Sequence, residues 1–354
     1  MTAPPSPRSP RGRRHGHLIG GYGLPVLAAL LFLTFSVALP DTFPTLDNVS
    51  SILSNQSIPA ILALGATIPI ATGKFDLSIG YGLGLAHVLV LRLIVDGNWP
   101  WPLACLVVVL GAAAFGALNG VVVEFGRIDS FIATLGTGSI LYAFTGWITG
   151  GARIVPGAGG LPVAFTDLYD STFLGLPVSA SYVLALAVAL WLMLERLPLG
   201  RYLYVIGSNP RAAELVGIPV RRYSVYAFAG SGLVVGFAGV LLAAQQQIGN
   251  PSVGLEYLLP AFVGALLGST TINPGRANPL GTVVAVAVLA IGLAGMGQLG
   301  ADFWAVPLFN GATLLLAVGL AGYSARRRLR AGAGETRRPP APPPTDRALS
   351  RDTP

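Results

Sequence analysis

The chain has 354 residues, of which 53% are hydrophobic and 10% charged, against about 25% charged in an ordinary soluble domain. With a mean hydropathy of +0.67, these proportions exclude a soluble enzyme and indicate a single polytopic membrane domain. The formal net charge of +7 does not mark a nucleic-acid binder. Of the 22 Lys and Arg residues a dozen fall in the two terminal stretches, and most others fall in short loops between apolar runs.

Residues 1–17, rich in Pro, Ser and Arg, are expected to form a disordered tail. Residues 18–39 follow without a charge. An Arg-rich start before an apolar run resembles a signal peptide, with Ser36, Val37 and Ala38 where a cleavage site would lie. The run is longer than the about 7–15 residues of a signal core and many more spans follow, so an uncleaved first helix is expected. Residues 41–57 read as a polar loop with room for a short interfacial helix. Residues 58–72 form a short span broken by Pro59 and Pro69, followed by the polar turn 73–80 and a third span to Ile94. Asp96, Trp99 and Trp101 mark an interfacial loop with its aromatic belt.

Span four covers residues 101–123 and span five 131–148, before a Gly- and Pro-rich loop at 150–177. Spans six to ten are expected at 179–194, 223–244, 257–269 (containing Pro260), 280–299 and 303–320. Residues 324–354 are Arg- and Pro-rich and expected to be disordered. The fold class is therefore all-α and polytopic, with about ten transmembrane helices in a domain at 18–323. Ten spans put both termini on one side. From a cytoplasmic start, the inside loops hold Lys74, Arg127, the central group Arg201, Arg211, Arg221 and Arg222, then Arg276 and the C-terminal arginines. Arg153 is left outside, with Arg92 near the outer end of span three. This asymmetry places both termini in the cytoplasm.

Two features suggest a transporter bundle. Gly116-Ala-Leu-Asn-Gly120 and Gly232-Leu-Val-Val-Gly236 are small-xxx-small faces that let helices approach closely. Broken spans near Pro69 and Pro260 suit a membrane-depth pathway. The polar turns after spans two and eight are loosely alike, but both fall inside, so they do not make an inverted repeat.

The longest polar interruption is the cytoplasmic loop 198–222. Within it Asn209 suits a helix cap, Pro210 the first helical position and Gly217 the residue past the end. The two turns between are too short to persist alone in water, so the helix must be pinned at its ends or pressed against a partner. An ordinary capped loop helix and a surface offered to another protein both fit.

Candidate chemistry is sparse. Ile68-Pro-Ile-Ala-Thr-Gly73-Lys74-Phe75 resembles a phosphate-binding loop but lacks the first Gly and the hydroxyl residue, so no ATP hydrolysis is expected in this chain. Lys74 and Asp76 could serve an ion relay, or could be an interfacial turn whose charges reach headgroup water or pair with each other. Arg92 reads as snorkelling. Cys105 stands alone and His15, His17 and His87 are scattered, so neither disulfide, metal nor cofactor is expected. Asn119, Thr134, Thr137, Ser139, Gln245, Gln246, Gln247 and Asn310 are uncharged polar groups. They suit either interhelical hydrogen bonds or a pathway for a neutral polyol, with Asn119, Thr134, Thr137, Gln246 and Asn310 the chosen pathway candidates.

Phe75-Asp76-Leu77-Ser78-Ile79-Gly80 resembles the Asp-Leu-Ser-x-Gly turn of the ribose-type sugar permeases, membrane subunits of ATP-binding-cassette (ABC) importers. Gly116-Ala-Leu-Asn-Gly120, Phe131-Ile-Ala-Thr-Leu-Gly136-Thr and Thr149-Gly-Gly151 are similar to further blocks of that family. The run from Gly207 through Asn209, Ala212 and Ala213 to Ile218 is similar to its cytoplasmic coupling segment, and Gly275-Arg276 with Gly281-Thr282 to a block before span nine. The likeness covers roughly residues 52–323. Leu259-Pro260 and Asn273-Pro274 depart from the pattern. The resemblance implies a type II ABC-importer-like bundle in the bacterial cytoplasmic membrane. It also implies a second permease subunit, identical or not, two cytoplasmic ABC ATPases and an extracytoplasmic solute-binding protein. ATPase contact would fall at Asn209, Arg211, Ala212, Ala213, Glu214 and Gly217, with close seating permitted by the two alanines, and Asp76, Ser78 and Gly80 would form the family turn. A branched-chain amino-acid permease and an ion-coupled carrier are the alternatives.

Overall fold

The computed structural model describes residues 13–316 and residue 319, and the expected tails fall mainly on residues outside these. α1 (Arg13–Ala38) starts inside the stretch expected as tail. It is followed by α2 (Leu46–Asn55), α3 (Ser57–Ala71), α4 (Ser78–Val95), α5 (Trp101–Gly126) and α6 (Ser130–Thr149). α7 (Val163–Asp170) and a two-stranded ribbon, β1 (Thr172–Phe173) against β2 (Leu176–Pro177), precede α8 (Val178–Trp191), which runs on through a π-helical turn to Arg196. Then come α9 (Pro198–Ser208), α10 (Pro210–Leu215), α11 (Val220–Gln246), α12 (Gly254–Gly268), α13 (Pro279–Gln298) and α14 (Ala305–Leu316).

α11 is the central post. Its 27 residues span about 40 Å, and most of them are buried between α3, α4 and α5. It packs most extensively on α5, because glycines strip the interface down to backbone. A Cβ on Gly232 would overlap Ala112 O, one on Gly116 would overlap Phe228 O, and the two residues face each other across the crossing. α3 has no polar face, and 14 of its 15 residues are buried, as an all-round apolar helix requires. At about 22 Å, α3 alone is shorter than the about 30 Å hydrocarbon core. α12 has the same length and packs against α3 and α13.

Among the described residues six helices are long and apolar enough to cross a membrane: α4, α5, α6, α8 with its π-helical turn, α11 and α13. A seventh is added if α2 and α3, bent by 44° at Gln56, make one span. α12, α14 and residues 22–38 of α1 are apolar but shorter. The lipid-type exposure of Leu30, Leu106, Ile132, Leu184 and Leu308 lies on the peripheral helices, as a polytopic protein requires.

The stretch 150–177, expected as a loop, carries α7 and the ribbon. Phe165 and Tyr169 are buried against the bundle, and the Tyr169 hydroxyl donates to Ser54 O at 2.7 Å and accepts from Gln245 Nε2 at 2.8 Å. Ile154 also bridges to Gly249. These contacts supply the partners that order a Gly- and Pro-rich stretch. The loop 198–222 is likewise helical over most of its length.

Candidate translocation and coupling site

The turn at 72–77 is buried in part: Thr72 and Asp76 are buried, Gly73 and Phe75 exposed. Lys74 does not pair with Asp76. It forms an ion pair with Glu124, near the end of α5, and both side chains are largely buried. Asp76 is 2% exposed and takes no counter-charge. Its Oδ1 accepts from the Ser78 hydroxyl at 2.5 Å and from the Ser78 backbone N–H at 3.1 Å, and Asn119 Nδ2 donates to Ser78 Oγ at 2.8 Å. Thr134 Oγ1 accepts from Leu77 N–H at 2.9 Å, and Ser130 Oγ accepts from Phe75 N–H at 3.2 Å. Burial pushes the Asp76 carboxyl up to about 6, against the opposing pull of its bonds to Ser78. The alternative in which Lys74 and Asp76 pair with each other is thus corrected: Lys74 is held by Glu124 and Asp76 by Ser78.

The family-turn residues fall together. Asp76 and Ser78 form the polar node, and Gly80 lets α4 meet α12, since a Cβ there would stand 2.9 Å from Gly254 O. Asn119 and Thr134 belong to the same node, where they hold the turn. Thr137 and Ser139 donate to carbonyls of their own helix, Thr134 O and Leu135 O. Gln246 lies at the other end of α11, about 22 Å along the helix from Ser231. Asn310 is buried on α14. The five pathway candidates therefore do not converge on one site. A cavity of about 380 Å³ between α4, α5, α6 and α11 reaches Asp76 and Ser78, but Leu85, Leu89, Phe115 and Phe144 make the rest of it apolar. A second, of about 390 Å³, lies between α1, α2, α3, α8 and α13 and is equally apolar. Polar side chains are few in both linings: Asp76 and Ser78 in the first, Gln56 and Ser57 in the second. Among the described residues no cluster of three His, Cys, Asp or Glu could hold a metal.

The capping of α10 follows the sequence reading. Asn209 is extended (φ −159°, ψ 96°) and its side chain accepts from Ala212 N–H at 3.0 Å; Pro210 opens the helix and Gly217 follows it at φ +83°. Ala213 is corrected: it is fully buried against Ile206 and Val220, so it seats α10 on the bundle and offers no surface to a partner. Asn209, Arg211, Ala212, Glu214 and Gly217 are exposed. So are Leu215 and Val216, at 88% and 73%, two apolar residues that the sequence reading passed over.

Glu124, Tyr169 and Tyr204 were also passed over. Glu124 could have been noticed as the single charge in residues 101–126. Tyr169 carries no local signal, because its partners lie 76 to 115 residues away, and Tyr204 pairs with Ala277, 73 residues on, as well as with nearby Glu195.

Comparison with known proteins matches residues 48–318 to the family described as "branched-chain amino acid transport system / permease component". The chain is similar to the ribose import permease protein of Bacillus subtilis, 32% identical over 292 residues, or 82% of this chain and 88% of that one. The ribose import permease protein of Haemophilus influenzae is 31% identical over 260 residues, or 73% and 80%. The autoinducer 2 import system permease protein of Escherichia coli strain SMS-3-5 is 31% identical over 305 residues, or 84% and 91%. No solved structure matches the chain.

Proposed function

The chain belongs to the ribose-type import permeases, and we propose that it carries a monosaccharide or similar polyol inward across the bacterial cytoplasmic membrane. It works as the membrane subunit of an ABC importer, by alternating access, with ATP hydrolysed by a separate subunit. The observation that carries this reading is similarity to ribose import permeases along nearly the whole membrane domain. The names of these relatives favour a sugar-like solute over a branched-chain amino acid.

In this reading the bundle makes ten crossings, with α1, the bent α2–α3 pair, α12 and α14 adding to the longer helices and both termini in the cytoplasm. Residues 18–323 form the membrane domain, residues 1–17 and 324–354 are cytoplasmic tails, and 198–222 is the coupling loop. A second permease subunit completes the pathway. That fits the absence of a converged polar site among the described residues of one chain. An extracytoplasmic binding protein selects the solute and docks at the end formed by α7, the ribbon and residues 247–253.

The ATPase meets α10 through Asn209, Arg211, Ala212, Glu214 and Gly217, with Leu215 and Val216 as apolar anchors. A two-turn helix with a buried inner side and two exposed aliphatic residues at its tip is suited to insertion in a groove. The test is co-expression of the tagged chain with its ATPase. Leu215→Asp with Glu214→Arg is expected to cut ATPase co-purification at least about tenfold, the range of a hot-spot loss, with membrane insertion unchanged. Undiminished co-purification would refute the contact.

A further inference from the structure

α9 touches both turns that follow the two short helices. At its C-terminal end the Gly207 backbone lies against the turn after α3. A Cβ on Gly207 would overlap Ala71 O and stand 3.1 Å from Gly73 N, and one on Gly73 would stand 3.3 Å from Gly207 O. One turn earlier, the Tyr204 hydroxyl donates to Ala277 O at 2.7 Å, and the Arg276 guanidinium lies over the Tyr204 ring at 3.6 Å. Ala277 precedes Asn278, whose side chain accepts from Gly281 N–H at 2.6 Å and donates to Gly268 O at 3.2 Å, tying together the ends of α12 and α13. α3 and α12 in turn pack on each other, where a Cβ on Gly264 would meet the Ala63 side chain at 3.2 Å. On its other side α9 carries α10, through Ile206 packed against Ala213.

From this contiguity we infer that α9 is a lever with two grips: Gly207 on the turn 72–77 and Tyr204 on the turn 269–278. Through them a displacement of α10 moves α3 and α12 together as one body relative to α5, parting the Lys74–Glu124 ion pair that ties the turn to α5 in this state. The inference rests on the reading of α10 as the ATPase contact, and it assigns Gly207 and Tyr204 as positioning residues in transport that take no part in docking. Contiguous packing becomes a mechanism only when the elements are shown to move together, so the test measures movement.

The complete importer, purified with its ATPase in lipid nanodiscs, would carry pairs of spin labels on a Cys105→Ser background. Ser208, Phe75, Asn273 and Phe125 are exposed positions for them. Between the nucleotide-free and ATP-bound states, the Ser208–Phe75 and Ser208–Asn273 distances are expected to stay constant while Ser208–Phe125 shifts. A change in either of the first two as large as that in the third, or no change in the third, overturns the inference. Gly207→Ala then probes the first grip. Alanine favours a helix more than glycine does, so α9 itself is not weakened and only the backbone contact is obstructed. Tyr204→Phe probes the second, removing one hydroxyl and keeping the ring under Arg276. Both variants are expected to retain bound ATPase, and Gly207→Ala to abolish the ATP-dependent shift of Phe75 relative to Phe125. Loss of ATPase binding by either variant would place that residue in the docking surface and overturn the assignment. Should the unsubstituted chain fail to bind any ATPase, it is the proposed function that fails.

Discussion

Asp76 is a buried carboxyl whose neighbours are neutral, and that sets a prediction at the residue scale. Its carboxyl titrates near 6 in the folded protein, above the usual value of 3.8. Between those values the folded state binds more protons than the unfolded one, so stability rises as pH falls through 6 and is lowest where Asp76 is charged. Asp76→Asn removes the charge and keeps an oxygen for the Ser78 hydroxyl. At pH 7.5 the variant is expected to be more stable by up to about 3 kcal/mol, the equivalent of a two-unit displacement. The advantage should fall to about half at pH 5, where the folded carboxyl is mostly neutral but the unfolded one still charged, and vanish only below about pH 3.8. Thermal unfolding in detergent at the two pH values checks this; a variant less stable at pH 7.5 would mean that the node needs the charge. The sequence could not disclose this burial. A polar turn between apolar runs reads as interface, and the groups that enclose it, Asn119, Glu124 and Thr134, lie 41 to 57 residues along the chain from their partners.

At the scale of elements, what was legible depended on how local the signal was. The Asn209-Pro210 start and Gly217 stop of α10 are dictated within nine residues, and the structure has them. Which side of that helix faces the bundle is set by Ile206 and Val220, outside the helix, so Ala213 read as a contact residue and Leu215 and Val216 went unnoticed. The glycine faces were equally legible, and their partners can be tested. Gly232→Val would force a branched side chain against Ala112 O at the α5–α11 crossing. Overpacking of this kind costs about 1–3 kcal/mol, more where backbone is the obstacle. Gly232→Val is therefore expected to lower the unfolding midpoint and the monodisperse yield after extraction. Gly136→Val, on α6 with nothing within 4 Å of its Cβ position, should do neither. Equal behaviour of the two variants would show that the crossing has slack.

For the whole molecule, the arrangement of charges is the strongest indicator of orientation. The ion pair of Lys74 with Glu124 lies at the end where α5 stops, where Arg127 follows and where Arg221 stands 5.4 Å over the Phe125 ring. Arg276, held on Tyr204 of α9, belongs to the same end. Arg153 adjoins the Ile154–Gly249 bridge beyond the far end of α11, and Arg92, near the far end of α4, is paired with Asp96 at 2.5 Å. The unbalanced cations thus gather at the end that carries α9 and α10, the end that the proposed orientation puts in the cytoplasm. Single cysteines at Ser208 and Leu174, on a Cys105→Ser background, test this. In intact spheroplasts a membrane-impermeant maleimide is expected to label Leu174→Cys, at a position 88% exposed on the ribbon, and to reach Ser208→Cys only after permeabilisation. The reverse pattern would put α10 outside, beyond reach of any cytoplasmic ATPase, and the importer reading would fall with it.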